Sequence, residues 1–135
     1  MAAPQKTVFV TSGTRGIGLA LVEVYKQKGW EVITSAHNLD TADKLKALSP
    51  NKIVQLDTSD KTALNMINSD LAIDLRKDKI TAVVLHPGLV ANALTGQDGD
   101  IQPAESAAEL SKVLAELKEE DTGKFIRFDG VNLPW

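Results

Sequence analysis

Residues 7–29 read as an uncharged strand that passes through a glycine turn into an amphipathic helix. Val8, Phe9 and Val10 form a β-branched and aromatic run, which suits a central strand covered on both faces. Ser12, Gly13, Thr14, Arg15, Gly16, Ile17 and Gly18 make the turn. Its glycines let backbone approach a ligand where side chains would block it, and the free N–H groups of the first helical turn favour an anion. Ile17, Ala20, Leu21, Val24 and Tyr25 then recur at helical spacing, Glu23, Lys26 and Gln27 fall on the other side, and Gly29 is placed to end the helix. Strand, turn and helix in this order form an arrangement that holds the pyrophosphate of a dinucleotide. A purely structural turn without a ligand is the alternative.

The same alternation continues along the chain. Strands are expected at 31–36, 52–57, 80–85 and 124–128, and helices at 41–48, at 61–77 and from Pro103 onward. In the first of these helices Ala42, Leu45 and Leu48 face inward, and Ser49 and Pro50 stop it. The long second helix has Ser59 or Asp60 as its cap, and Arg76 and Lys77 suit the negative end of its dipole. Pro103 opens the third, whose Ala107, Leu110, Leu114 and Leu117 share one apolar face. Strands alternating with helices predict an α/β fold of three layers, with helices on both faces of a shortened parallel sheet. Right-handed crossovers favour five strands in the order 3-2-1-4-5, with the ligand crevice at the carboxyl ends of strands one and four.

Composition bounds what else the chain can be. A length of 135 residues with ordinary apolar content leads to one domain over 1–135. A formal net charge of −3, with acids and bases interspersed, leaves no electrostatic footprint for nucleic acid or an anionic membrane. No apolar run is long enough to span a bilayer, and the first residues lack the pattern of a secretion signal. The absence of cysteine fits a reducing, cytoplasmic setting and removes the thiolate ligands of many metal sites, and no metal centre is expected.

Three segments resemble the short-chain dehydrogenase/reductases, a family of Rossmann-fold oxidoreductases. "TSGTRGIG" is similar to the family's TGxxxGxG phosphate turn, with Ser12 where the first glycine is expected. "HPGLVAN", residues 86–92, resembles the PGxVxT loop that packs beside the nicotinamide, with Asn92 in place of threonine. The tail "TGKFIRFDGVNLPW" looks like the ending of the C-factor-like and sniffer-like carbonyl reductase branch. The resemblance implies a Rossmann-like fold and a cofactor held by residues 12–18 together with Pro87, Gly88 and Val90. Arg15 matches a basic residue that NADP(H)-preferring members carry in the turn. Strand two ends in Ala36, His37 and Asn38, where an acid would bind the ribose 2′-hydroxyl and repel a 2′-phosphate. NADP(H) is therefore expected over NAD(H), with His37 and Asn38 beside it; a solvated arginine and a plain turn histidine are the alternatives. His86 reads as a spacer before Pro87.

The chain also departs from the family pattern. The Asn-Asn-Ala-Gly motif, the active-site serine and the strand that delivers it have no counterpart. The segment resembling YxxxK has Lys61 at the lysine position and Asp57 at the tyrosine position. Read forward from the third strand, however, Asp57 resembles the aspartate that touches adenine. Those two places lie several strands apart in the family architecture. Crossing three strand spacings takes roughly 14 Å, and Thr58 to Asp60 span at most about 10 Å. Lys61 therefore reads either as a catalytic lysine that contacts the cofactor ribose or as a surface residue. Asp57 replaces the tyrosine as an acid only if desolvation keeps it protonated.

Two functions follow. One is an atypical NADP(H)-binding oxidoreductase with weak carbonyl reductase activity, since a general acid contributes about 10²- to 10⁴-fold and hydride transfer belongs to the nicotinamide. The other is a catalytically inactive nucleotide-binding or oligomerising module. Leu64, Ile67, Leu71 and Leu75 form one face of helix 61–77, and Ala63, Met66 and Ile73 widen it. That width leads to a homodimer through helix 61–77 or through strand 124–128 as a sheet edge, with full intramolecular burial of the stripe as the alternative.

Overall fold

The computed structural model describes residues 6–57, 61–91 and 99–134. The chain divides into two compact units, residues 1–58 and 59–135.

In the first unit, β1 (Thr7–Val10) leads into α1 (Gly16–Gln27), β2 (Glu31–Ala36), a 3-10 turn at Leu39–Thr41, the short α2 (Asp43–Ala47) and β3 (Lys52–Gln55). Of the apolar face expected for α1, Leu21 and Tyr25 are buried while Ile17, Ala20 and Val24 are half-buried, Val22 outside that face is buried as well, and Gly29 at φ +74° ends the helix. Both strand pairs are parallel, with Val8 opposite Val32 and Thr34 opposite Ile53, so β2 lies between β1 and β3. Val32, Thr34, Ser35 and Ala36 are fully buried on this middle strand, and Ala42 and Leu45 of the α2 region are buried as well. Phe9 is 49% exposed.

In the second unit, α3 (Lys61–Asp74) is followed by a 3-10 turn at Arg76–Asp78, β4 (Val84–His86), α4 (Pro103–Glu116), a 3-10 turn at Glu119–Asp121, β5 (Phe125–Arg127) and β6 (Asn132–Leu133). Pro103 opens α4 as predicted, since its missing N–H falls among those that a helix start leaves unbonded. Ala107, Leu110 and Ile126 are buried. β4 and β5 pair in parallel, and β6 returns antiparallel beside β5.

Among the described residues the first unit carries a three-stranded sheet of order β1-β2-β3 and the second one of order β4-β5-β6, six strands where the sequence leads to five. The orders β3-β2-β1 and β4-β5 are present within them. Strand 124–128 is not a sheet edge, which corrects the expectation of an edge contact there: β5 is central, with β4 on one side and β6 on the other. The reason is local. Gly130 at φ +86° closes a tight turn in which its N–H donates to the Arg127 carbonyl at 2.8 Å, and the Arg127 N–H reaches the Val131 carbonyl at 2.8 Å. The caps proposed for α3, Ser59 and Asp60, lie outside the described residues.

Candidate functional site

The glycine turn is built on the end of β2. The Ser12 N–H donates to the Ser35 hydroxyl at 2.9 Å, and the Gly13 N–H donates to the Ser35 carbonyl at 2.8 Å. Thr34, fully buried, donates its hydroxyl to the Val10 carbonyl at 2.8 Å. The three glycines do different work. A Cβ on Gly13 would stand 2.1 Å from Thr34 Oγ1, and one on Gly18 would stand 2.1 Å from the Ser12 carbonyl oxygen. Gly16 has φ +57° and nothing within 4 Å of where its Cβ would be. Gly13 and Gly18 therefore answer to packing, whereas Gly16 combines a left-handed backbone with open space. Ser12 also lies in the left-handed region, at φ 56°.

Arg15 caps α1 in extended backbone and supplies no side-chain cap. The helix starts at Gly16, so the N–H groups of Gly16, Ile17 and Gly18 belong to its first turn, which has no intrahelical acceptor for them. No acidic side chain occupies that turn. These are the conditions under which a helix start receives an anion.

Beside the turn lies an open groove of about 530 Å³, lined by Thr14, Arg15, His37, Asn38, Thr41, Asp43 and Lys44. Among the described residues, neither Arg15 nor Lys44 forms an ion pair. His37 stands with Nδ1 3.4 Å from Asp57 Oδ1, both side chains being well exposed, and Gln55 donates to the His37 carbonyl at 3.2 Å. Asn38 turns its carboxamide oxygen back to the Asp40 N–H at 2.8 Å and so starts the 3-10 turn that brings Thr41 to the groove. The structure therefore brings Thr14, Arg15, His37 and Asn38 together, with Asp57 beside His37. Nothing in the sequence marks Thr41, Asp43 and Lys44 as site residues. Their spacing after His37 matches no motif, and only the fold of the α2 segment places them.

In the second unit, the loop after β4 holds Pro87, Gly88 and Val90. Gly88 has φ +82°, and a Cβ on it would meet Phe128 Cε1 at 2.8 Å. His86 is more than a spacer: its Nδ1 accepts the Gly88 N–H at 3.1 Å. The Phe128 N–H bonds to the His86 carbonyl at 2.9 Å, and the Ser106 hydroxyl to the Pro87 carbonyl at 2.8 Å. Val90 is buried and forms a bridge with Ile101. Lys61 is the first residue of α3, and its side chain lies outside the described residues, as does Asn92. Tyr25 is 2% exposed inside the first unit, and burial raises the pKa of its phenol.

Among the described residues there is no group of three or more side chains suited to a metal ion, and no helix long and apolar enough to cross a membrane.

No family model matches the chain. Over 79 residues it is 39% identical to 1-hydroxy-2-glutathionyl-2-methyl-3-butene dehydrogenase of Rhodococcus sp. (strain AD45), a match covering 56% of this chain and 35% of that protein. Over 75 residues it is 33% identical to C-signal of Myxococcus xanthus, covering 56% and 45%. The chain thus spans less than half the length of these relatives. Among solved structures, carbonyl reductase Sniffer of D. melanogaster aligns with a TM-score of 0.74 at 16% identity, over 98% of this chain and 100% of that one. An NADPH-bound carbonyl reductase from chicken fatty liver gives 0.74 at 19% identity, again over 98% and 100%. At such identities the structural likeness concerns the fold, which is of the Rossmann-like α/β class.

Proposed function

We propose, for a chain that is a relative of carbonyl-reductase-like short-chain dehydrogenase/reductases, that it binds NADP(H) and acts as an atypical oxidoreductase on a small carbonyl compound. The observation that carries the reading is the first turn of α1, whose N–H groups open beside a groove lined by Arg15 and Lys44. The residues fit the group. Gly16 leaves open the space that a pyrophosphate needs, and β2 is followed by His37 and Asn38 rather than by an acid that would repel a 2′-phosphate. Asp43 is the one acid lining the groove, against Arg15 and Lys44 as cations.

In this reading Ser12, Gly13, Thr14, Gly16, Ile17 and Gly18 surround the pyrophosphate, and Arg15 with His37 and Asn38 meets the adenosine phosphate end. Asp57 lies near the adenine, which its place beside His37 supports, and Pro87, Gly88 and Val90 are candidates for the nicotinamide by the family resemblance alone. Bound NADPH would supply the hydride for a carbonyl carbon. The chain's residues bind and orient it, and Lys61 is the candidate for a contact with the ribose. Self-association through helix 61–77 belongs to the same proposal, supported by Met66 at 63% and Ile73 at 73% exposure along α3. A cytoplasmic location accompanies it.

A second reading, binding without turnover, is favoured by Tyr25. It is the chain's one tyrosine and lies buried in α1. Isothermal titration with NADPH and NADH, followed by loss of NADPH absorbance across a carbonyl panel, separates the possibilities. Binding with stoichiometric oxidation supports the reductase, binding alone supports the inactive module, and no heat with either nucleotide refutes both.

A further inference from the structure

His37 and Asp57 are distant in sequence and meet because β2 and β3 end together. Ala36 pairs with Gln55 in the parallel ladder, and the Leu56 N–H donates to the Ala36 carbonyl at 3.0 Å. Just beyond that pairing come His37 and Asp57, with Nδ1 and Oδ1 3.4 Å apart. The Gln55 carboxamide donates to the His37 carbonyl at 3.2 Å and so holds the backbone from which the ring projects. Both side chains of the pair are exposed, and an exposed pair contributes little to stability. Its consequence lies in the groove that the ring lines. The charged groups around His37 there are Arg15 from the glycine turn, Asp43 and Lys44 from α2, and Asp57 after β3, while Asp40 on the intervening 3-10 turn is exposed. Arginine and lysine side chains keep their charge across neutral pH, and a carboxylate does too, so histidine is the member of this set that a proton switches there. The two ring nitrogens have different roles. A carboxylate on the Nδ1 side favours the proton at Nδ1, which leaves Nε2 of the neutral ring an acceptor. A phosphate dianion offers only acceptors. Nε2 can meet it as a donor only when the ring carries both protons.

We infer that His37 takes up a proton when a phosphomonoester enters the groove, with the Asp57 carboxylate on its Nδ1 side and the phosphate on its Nε2 side. The inference rests on the reading above that this groove takes the 2′-phosphate end of NADP(H). His37 is then a cation that appears with the ligand, beside the permanent charges of Arg15 and Lys44, and Asp57 acts as a positioning residue through it. The preference for a 2′-phosphate over a 2′-hydroxyl accordingly falls as pH rises above neutrality.

The test titrates the full chain calorimetrically with 2′,5′-ADP, which carries the adenosine and both its phosphates but no nicotinamide, in buffers of different ionisation enthalpy. The dependence of the heat on the buffer gives the protons taken up per ligand bound. At about pH 7.5 a phosphomonoester is almost wholly a dianion, since its second proton leaves at about 6, so the uptake belongs to the site. Wild type should take up roughly 0.2–0.5 proton per ligand and bind roughly two- to fivefold more weakly at about pH 8.5 than at about pH 7. In His37→Gln both effects should vanish while binding persists through Arg15 and Lys44. Asp57→Asn should move the pH dependence toward lower pH, because its carboxylate no longer favours the charged ring. Binding without proton uptake, uptake that His37→Gln retains, or a pH dependence unmoved in Asp57→Asn overturns the inference and leaves the nucleotide reading intact. No binding of 2′,5′-ADP at any pH removes both. Where a variant does not fold or bind, proton NMR on wild type decides, because the chain has two histidines and His86, with Nδ1 engaged by the Gly88 N–H, serves as the internal control. Saturating 2′,5′-ADP should raise the midpoint of the His37 titration by roughly one pH unit relative to that of His86. No movement, or the same movement at both rings, refutes the role.

Discussion

Gly13→Ala is expected to destabilise the first unit through packing alone. The new Cβ would stand 2.1 Å from Thr34 Oγ1 and 3.3 Å from Thr34 Cβ. Thr34 is fully buried and bonded to the Val10 carbonyl at 2.8 Å, so its hydroxyl can yield only by rotating away and leaving that bond. Overpacking a core site costs about 1–3 kcal/mol, and leaving a buried donor and acceptor unpaired costs about 1–3 kcal/mol more. Because the two costs share one displacement, the sum is taken as about 2–4 kcal/mol. The assay is urea unfolding followed by circular dichroism, with an expected midpoint shift of roughly 1–2 M toward lower urea. Thr34→Ala supplies the decisive arm. It removes the clashing oxygen, so the double variant should be more stable than the sum of the single effects predicts, by about 1–2 kcal/mol. An unchanged midpoint in Gly13→Ala, or strict additivity with Thr34→Ala, would refute the packing argument and return Gly13 to the ligand.

The groove makes a separate prediction. Arg15→Gln and Lys44→Gln should each weaken 2′,5′-ADP binding, by about tenfold and a few-fold respectively, since charge-assisted bonds to phosphate are lost, and should narrow the preference for NADPH over NADH; equal effects on both nucleotides would refute it. Raising the salt concentration should weaken the wild-type interaction in parallel. The β5–β6 turn gives a pH signature. The Arg127 guanidinium, bonded to the Asp129 carboxylate at 2.6 and 2.9 Å, holds that carboxyl down to about 2. A carboxyl lowered on folding adds stability above its unfolded pKa and loses it as pH falls through the folded value, so the pair should persist from neutral pH to about pH 4 and fail toward pH 2. Carboxyl-carbon NMR titration should show Asp129 ionising near 2 in wild type and at an ordinary carboxylate value in Arg127→Gln. The same pKa in both proteins would contradict the pairing.

Much of this was legible in the sequence because short-range rules carried it. The spacing of Leu21 and Tyr25 foretold the buried face of α1, β2 was read at its observed bounds, and Pro103 and Gly29 marked helix ends by their own backbone restrictions. Other boundaries drifted. The apolar run predicts the fourth strand at 80–85 and it stands at Val84–His86, since such a run fixes only that a strand is near, while its bounds depend on the partner it finds in β5. β6 escaped notice, because two residues carry no periodicity and the Asp129-Gly130 turn is what makes them a strand. By sequence His86 reads as a spacer, because nothing in its neighbourhood names an acceptor role. Its partner is the backbone N–H two residues on, which the turn at Pro87 and Gly88 brings back to the ring.

The division of labour at the glycine turn shows the difference most clearly. Sequence by itself determined that a strand would run through three glycines into a helix, since propensity, periodicity and the freedom of glycine act within a few residues of the chain. It did not determine which glycine serves which purpose. That depends on Thr34 and Ser35 arriving under Gly13 from the neighbouring strand, on the Ser12 carbonyl closing over Gly18, and on the empty space left beside Gly16. Likewise the sequence supplied Arg15, while only the fold of α2 set Lys44 at the same groove. Contacts between residues distant along the chain are products of packing, and packing is settled only when the elements have met.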